Sequence, residues 1–313
     1  KPALEWYRIH QRIKHGYKMK ALYEVTGLSK QALWKYRKRQ QQQAEQTVQV
    51  INQINKIRKH HKAMGCRTMY YAATAPVPVG RDKFEQIGFA NGFKLKRKRS
   101  MIKTTWSQLV EVYPNRIEGK VLDNINQVWQ SDIFYLGIEQ QHFYGVTIED
   151  VYSRELLSLH LSNRLTAEQV TICFKKALRA RQGTCIKGCI FHSDRGSQYI
   201  SAAHKKQLKE NGMKISMGKL PQQNAYVERV QGTIKNQYFS ELGVTSANLQ
   251  SLTRKIIGYY NNEKPHSGLK MITPSTFAAQ ISQQTKRERP KLKIHDGYAI
   301  TVQKKSIIDD MEK

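Results

Sequence analysis

The chain has 313 residues, of which 53 are lysine or arginine and 24 are aspartate or glutamate, giving a formal net charge of +29. This length allows two or three domains and a sizeable core. Solubility does not require so much charge, which therefore predicts a polyanionic partner, most simply nucleic acid. The alternative is a chaperone-like or ribosome-associated basic tail, but the aromatic and apolar content is too high for a purely disordered tail.

The charge is concentrated at the start of the chain, where residues 1–100 hold 23 basic and 5 acidic side chains. No stretch approaches the ~18 consecutive apolar residues of a membrane span, and the polar N-terminal residues do not form a secretory signal pattern. Four cysteines in a chain this long indicate a reducing compartment, so we expect a cytoplasmic protein. Cys185, Cys189 and His192 could suggest zinc, but packed free thiols are the simpler interpretation.

Residues 18–39 predict a helix-turn-helix module. Gly27 breaks the first helix and Ser29 can cap the second. The second helix is expected to place Leu33 and Trp34 near an apolar face. It leaves a set of polar residues for solvent or for DNA phosphates: Lys30, Gln31, Lys35, Arg37, Lys38 and Arg39. Such a helix can enter a major groove, although an ordinary helical hairpin with a solvated basic face has the same pattern.

A second helical module is expected to follow. Residues 40–43 are a glutamine run that forms either a linker or a helix extension. Val50, Ile54 and Ile57 recur at helical spacing, which favours a small domain core over a short coiled-coil seam. Further helices are predicted over residues 65–71 and 79–88. A basic arm then suits contact with the DNA backbone or minor groove, a solvated linker being the alternative: Lys94, Lys96, Arg97, Lys98 and Arg99.

Beyond residue 123 the pattern changes to alternating strands and helices. Three strands joined by short turns favour an antiparallel meander, and they are predicted over residues 128–136, 142–148 and 155–161. Thr166 and Gln169 form a capping box that opens a helix. The remaining elements are predicted as a strand over 187–191, a helix over 201–210, a strand over 213–217 and a long helix over 224–242. This order predicts an α/β fold with a mixed sheet and helices on its faces.

Three acidic residues lie where separate elements of this sheet could bring them together. Asp132 lies in the first strand, Asp194 at the end of the fourth, and Glu228 on the long helix with Asn224 one turn before it. Close like charges repel unless cations neutralise them, and an all-oxygen ligand set favours Mg²⁺ or Mn²⁺ over zinc. Two such ions would activate an attacking oxygen and stabilise the leaving one. Each acid taken alone could instead be structural.

The segments around these acids resemble a known family. Residues 129–132 (WQSD), 192–199 (HSDRGSQY) and 224–228 (NAYVE) resemble the three acid boxes of bacterial insertion-sequence transposases, in particular those of insertion-sequence family three. Further landmarks of that family are similar to residues 151–154 (VYSR) and 259–261 (YYN). The chain departs from the pattern at residues 220–223 (LPQQ), where relatives carry glycine and aspartate, and at residues 229–231 (RVQ), where aromatics often occur.

The resemblance implies a retroviral-integrase-type catalytic core with a ribonuclease-H-like fold. It also implies that Asp132, Asp194 and Glu228 form a catalytic triad that binds two Mg²⁺ ions, with Mn²⁺ as a substitute. The implied activity is cleavage of double-stranded DNA at inverted-repeat ends, followed by attack of the freed 3′-hydroxyl on another phosphodiester. A DNA-binding regulator with an inert core, and a nuclease that does not join strands, remain alternatives.

Several residues near the acids allow two interpretations. Lys235, seven residues past Glu228, could contact a DNA phosphate or simply be solvated. His192 and Arg195 could contact the scissile strand or serve packing and a surface ion pair. His266 is expected to be structural, and Asp150 is expected to pair with Arg154 rather than bind a metal.

The expected organisation is a helix-turn-helix module over residues 1–43, a second helical DNA-binding module over 44–100 and a linker over 101–122. A catalytic core over 123–281 and a basic extension over 282–313 follow, with a short strand expected at residues 298–302. The extension is expected to contact DNA or a partner subunit. Because two ends are cut, we expect a homo-oligomer, at least a dimer on DNA, and no membrane partner is expected. The resemblance implies a bacterial, nucleoid-associated protein.

Overall fold

The computed structural model describes residues 19–95, 113–138, 141–218, 221–239, 242, 245, 247–295 and 298–302. Its N-terminal part is helical, with α1 at Met19–Thr26, α2 at Lys30–Arg58, α3 at Cys66–Ala72 and α4 at Arg81–Ala90. The basic arm predicted at Lys96, Arg97, Lys98 and Arg99 lies outside the described residues.

The turn between α1 and α2 has the expected helix-turn-helix chemistry. Gly27 has a φ of +62°, a left-handed conformation that glycine adopts without steric cost. Ser29 caps α2, and its Oγ accepts a hydrogen bond from the backbone N–H of Ala32 at 3.1 Å. Leu33 is buried, but 57% of the Trp34 surface is exposed, so the prediction that Trp34 lies on an apolar face is wrong. Adjacent helix positions are rotated by ~100°, so burying Leu33 turns Trp34 outward.

Helix α2 is one continuous helix of 29 residues, and the glutamine run lies inside it as a helix extension. Every residue from 39 to 45 is exposed, so this stretch of α2 is solvated all round. The C-terminal half of α2 buries Val50 and Ile54 against Met69 of α3 and Phe84 of α4. These residues therefore form the core of a second small module, as the apolar spacing predicted.

The central part of the described chain contains a five-stranded sheet with the order β4-β3-β2-β5-β6. Its strands are β2 at Val128–Ile138, β3 at Gln141–Asp150, β4 at Leu156–Ser162, β5 at Ile190–Ser193 and β6 at Lys214–Met217. The pairs β2/β3 and β3/β4 are antiparallel, whereas β2/β5 and β5/β6 are parallel. The predicted meander and mixed sheet are both confirmed.

Helices cover both faces of this sheet. Helices α5 (Ala167–Ala180) and α6 (Ala202–Glu210) bury a core built around Trp129, Phe174 and Phe191. On the other face, α7 (Ala225–Thr233) and α8 (Leu249–Gly258) pack over Phe134 and Leu159. The two layers fix the sheet between them.

A small sheet joins the two ends of the core. Strand β1 (Val121–Leu122) pairs with β7 (Lys291–His295), which pairs with β8 (Tyr298–Val302). Leu122 and Ile294 are fully buried together with Ile281, which closes helix α9 (Pro274–Gln283) onto the core. The end of the segment expected as a linker is therefore part of the packed core, and the strand predicted at residues 298–302 is confirmed.

Two local predictions, a capping box at Thr166 and an ion pair at Asp150, were wrong because tertiary partners replaced local ones. Gln169 does not complete a capping box; its Oε1 instead pairs with Nε2 of His160 on β4 at 2.8 Å. The long helix predicted over 224–242 is present from Ala225, as α7 to Thr233 and then as a π-helical turn, Ile234–Phe239.

Asp150 does not pair with Arg154. Its Oδ2 accepts from the backbone N–H of Asn126 at 2.6 Å and lies 3.8 Å from Nη2 of Arg181. Its Oδ1 accepts from two backbone amides of the following turn. Arg154, with a φ of 62°, directs its guanidinium over the ring of Tyr226, 3.8 Å from the centroid. The turn thus surrounds the Asp150 carboxylate with backbone donors, and the Arg154 guanidinium packs on Tyr226 instead.

Gly145 on β3 lies directly opposite Phe134 on β2, and the phenylalanine ring covers the glycine. A Cβ at position 145 would overlap that ring, which is buried and cannot rotate into solvent. Gly137 lies on β2 in the same hairpin, and a Cβ there would meet no atom within 4 Å. Both glycines thus lie in strands of one hairpin, but only Gly145 has no space for a side chain.

We predict that Gly145→Ala lowers the free energy of unfolding by about 1–3 kcal/mol, because the buried ring must move. Gly137→Ala is the matched control, since both changes remove one glycine from the same hairpin. Urea unfolding followed by circular dichroism measures both. Equal midpoints for the two variants would contradict the crowding at Gly145.

Candidate active site

The parallel pairing of β2 and β5 brings two of the three predicted acids together. In this register Gln130 lies opposite His192. Continuing it by two residues places Asp132 beside Asp194, which stands just past the end of β5. Oδ1 of Asp194 accepts a hydrogen bond from the backbone N–H of Gly196 at 3.1 Å, which holds the turn that carries the carboxylate.

The electrostatics of Asp132 show that other carboxylates are close. Burial, together with the negative charges of Asp194 and Glu228, raises the pKa of Asp132 to about 7. Hydrogen bonds from the backbone of Ile133 and the side chain of Gln231 act in the opposite direction. Burial also raises the pKa of Asp194, since one side of its carboxyl group is lined by protein although the residue is open to solvent on the other.

Glu228 lies in the first turn of α7 and is half-buried. Its charge raises the pKa of both Asp132 and Lys235, so it belongs to the same electrostatic environment. Within the described part of the chain, however, no three acidic, histidine or cysteine side chains are arranged to hold a metal ion. The fold thus pairs Asp132 with Asp194 and brings Glu228 near them without closing a ligand cluster.

Buried amides fasten the start of α7 to β2. Nε2 of Gln130 donates to the carbonyl of Gln223 at 3.2 Å, and its Oε1 accepts from the backbone N–H of Val227 at 3.4 Å. Nδ2 of Asn224 donates to the carbonyl of Ser131 at 3.0 Å. Asn224 therefore anchors the helix to the strand beside Asp132, and these bonds set the position of Glu228.

Gln231 is a site residue that the sequence interpretation missed. Its Nε2 donates to Oγ1 of Thr147 at 3.2 Å, and that hydroxyl donates to the carbonyl of Asp132 at 3.3 Å. The Gln231 side chain is buried and also hydrogen-bonds the Asp132 carboxylate, which lowers its pKa. A signal existed, because an amide stands three residues after Glu228 on the same helix face, where relatives often carry an aromatic ring.

Lys235 faces the acids from the π-helical turn. Its Nζ lies 5.2 Å from the ring centroid of Phe134. Burial lowers the pKa of Lys235, while the charges of Asp132 and Glu228 raise it. A partly desolvated cation beside carboxylates is placed to meet another anion at the same edge of the sheet.

The two histidines near the acids are structural. Nδ1 of His192 lies 2.9 Å from Oγ of Ser216, and burial lowers its pKa to about 4, so the ring is neutral at pH 7. Nδ1 of His266 accepts from the backbone N–H of Gly268 at 3.2 Å, and burial lowers its pKa to about 3. Arg195 is exposed beside Asp194.

The structure does not support a zinc cluster at Cys185, Cys189 and His192. Both thiols are free, one exposed and one buried, and His192 pairs with Ser216. The predicted DNA-contacting residues of α2 lie at its N-terminal end. Five of them are exposed and one is half-buried: Lys30, Gln31, Lys35, Lys38 and Arg39, with Arg37 the half-buried one.

We predict that Gln231→Leu, which keeps the side-chain volume and removes both hydrogen bonds, lowers the DNA strand cleavage expected from the sequence by about 10- to 100-fold. The reason is that Asp132 loses a donor and Thr147 loses a partner, while the core stays filled. Gln250→Leu on the exposed side of α8 is the control. Cleavage rates are compared after urea unfolding has shown that both variants are folded. A rate for Gln231→Leu equal to that of the control would rule out this role.

Comparison with known proteins agrees with this architecture. Two family models, each described as an integrase core domain, match residues 123–220 and 211–274. The chain is 31% identical over 211 residues to the insertion element IS600 uncharacterized 31 kDa protein of Shigella sonnei, covering 66% of this chain and 77% of that protein. It is 30% identical over 156 residues to the transposase for insertion sequence element IS904 of Lactococcus lactis, covering 49% of this chain and 61% of that one.

Among solved structures, the chain is similar to the HTLV-2 integrase catalytic core domain in complex with magnesium. The sequence identity is 17% and the TM-score is 0.41, over 49% of this chain and 96% of that one. None of the helices in the described ranges is both long and apolar enough to cross a membrane.

The sheet order, the helices on both faces and the matching core domain define a ribonuclease-H-like core of the integrase type, which confirms the predicted fold class. The identity to the IS600 protein and the share of it that is covered show to which family the chain belongs. The chain belongs to the bacterial insertion-sequence transposases with such a core.

Proposed function

We propose that this transposase binds the inverted-repeat ends of an insertion sequence, cuts double-stranded DNA there and joins the freed 3′-hydroxyl to another phosphodiester. The observation that carries the proposal is the side-by-side placement of Asp132 and Asp194 with the charge of Glu228 acting on both Asp132 and Lys235. A domain that only bound DNA would have no use for a patch of carboxylates facing a polyanion.

The donor chemistry of this patch fits Mg²⁺ or Mn²⁺. Asp132, Asp194 and Glu228 offer only oxygen ligands, which hard divalent cations prefer. Repulsion between the carboxylates contributes to the raised pKa of Asp132, and a bound cation would relieve it. These three residues would hold two ions, which activate the attacking oxygen and stabilise the leaving oxygen in phosphoryl transfer.

The chain's own residues would orient the substrate. Lys235 would bind a phosphate next to the scissile bond, since its ammonium faces the acids from the same face of the sheet. Gln130 and Asn224 would keep α7, and with it Glu228, fixed against β2 while the DNA enters. The cations of α2 and the basic arm would bind phosphates of the end sequence. Two ends require two active sites, so the acting form would be at least a dimer.

We predict that Asp194→Asn abolishes Mg²⁺-dependent cutting of a duplex carrying the element's terminal sequence, with a loss of at least about a thousandfold. DNA affinity should be nearly unchanged, because the variant keeps every lysine and arginine of the chain. Asp82→Asn on α4, also an exposed aspartate, is the matched control and should cut at the normal rate. Labelled duplex resolved on a denaturing gel measures both cutting and joining.

The same gel, together with a native gel that reports binding, separates the alternatives. Cutting without joined products would assign a nuclease, and binding without cutting by the native chain would assign a DNA-binding regulator. Full cutting by Asp194→Asn would overturn the catalytic assignment.

A further inference from the structure

The exposed face of the first turns of α2 carries a tryptophan among cations. Trp34 is 57% exposed. Positions three and four apart lie on one helix face, and the adjacent position lies ~100° further round, so Trp34 stands next to several other exposed residues. These are Lys30, Gln31, Lys35 and Lys38.

Neighbouring residues cover little of the surface of the Trp34 indole. Nζ of Lys38 lies 5.2 Å from the ring centroid, a cation–π contact that covers one face of the ring. Tryptophan is the side chain that gains most from leaving water, and it is concentrated where a partner desolvates it. An open indole at the centre of a basic helix face therefore indicates a contact that the free chain does not make.

We propose that Trp34 enters the DNA major groove and packs against the 5-methyl group of a thymine, making it a sequence-reading residue of the helix-turn-helix module. The inference rests on the proposed function and deepens it by naming a residue that reads base identity. Lysines on phosphates bind without regard to sequence. An apolar side chain against the thymine methyl is one of the few contacts that separates thymine from cytosine.

The charge of this face favours DNA over a second copy of the chain. A two-fold dimer through this face would bring Lys30, Lys35 and Lys38 against the same three lysines of the partner. On DNA the same lysines flank the indole with phosphate contacts. Ser29 caps the start of α2, and the positive end of a helix also suits a phosphate.

The experiment begins with binding from a library of random duplexes, without metal, so that it does not depend on catalysis. In the duplex that the native chain enriches, each thymine is then replaced in turn by uracil, which removes only the methyl group. Fluorescence anisotropy measures affinity at a fixed salt concentration. The native chain should lose about tenfold at one uracil position, the size of a single good base contact.

Trp34→Ala should bind the thymine duplex about tenfold more weakly and no longer respond to uracil at that position. Trp34→Phe should keep part of the response. Lys38→Ala should weaken binding to every sequence, reduce the salt dependence by about one phosphate and leave the uracil response in place. Tyr135→Ala is the matched control, because Tyr135 is also 57% exposed but lies on the core hairpin; it should match the native chain.

Retention of the uracil response by Trp34→Ala, or an enriched duplex in which no thymine matters, would overturn the inference. So would unchanged DNA binding accompanied by loss of a dimer in sedimentation, which would assign the face to self-association. These results differ from a failure of the proposed function, which shows in the cutting assay with Asp194→Asn.

Discussion

A short parallel ladder between β2 and β5 determines where the acids of the candidate site stand. Trp129 and Phe191 pair within it and are both buried against α5, so their packing fixes the register. A slip of one residue would turn Asp132 to the opposite face of the sheet, away from α7. This register brings the carboxylates of Asp132 and Asp194 close together. The favourable free energy of burying Trp129 and Phe191 offsets the repulsion between them. Packing of the hydrophobic core thus keeps two carboxylates closer together than their mutual repulsion would otherwise allow.

The second constraint is the attachment of α7 by side-chain amides rather than by apolar contact alone. Gln130, Asn224 and Gln231 each reach from one element to the other, and all three are buried. Buried hydrogen bonds of this kind are directional, so they specify the rotation and height of the helix as well as its contact. Oδ1 of Asn224 has no hydrogen-bond partner in the described residues. Precision at Glu228 is therefore obtained at some cost in stability.

Much of the core could be predicted from the sequence because its signals are local. The strand pattern over β2 to β4 predicted the meander, and Asp194 marked the end of β5. What escaped prediction depends on distant partners. Strand β1 is two residues long and exists through pairing with β7, and Gln169 reaches His160 on β4 as well as Thr166 at the start of its own helix.

The surroundings of Trp34 and Gln231 were missed for a related reason. Residue type alone predicted a buried indole at position 34, although the burial of its neighbour Leu33 turned it to solvent. Gln231 looked like a departure from a familiar pattern until Thr147 and Asp132 were found beside it. Propensity describes what one residue prefers by itself. The environments of these two positions depend instead on which neighbouring residues are buried beside them.

The unbroken helix α2 links the start of the chain to its second module without a joint. Trp34 and Ile54 lie on this one helix, about 30 Å apart at 1.5 Å per residue, which is close to one repeat of duplex DNA. Because the solvated stretch between them keeps its helical geometry, the separation and the relative rotation of its two ends are set by residue count. The glutamine run is therefore a rigid spacer, and adding or removing residues there would change both the distance and the angle between the two modules.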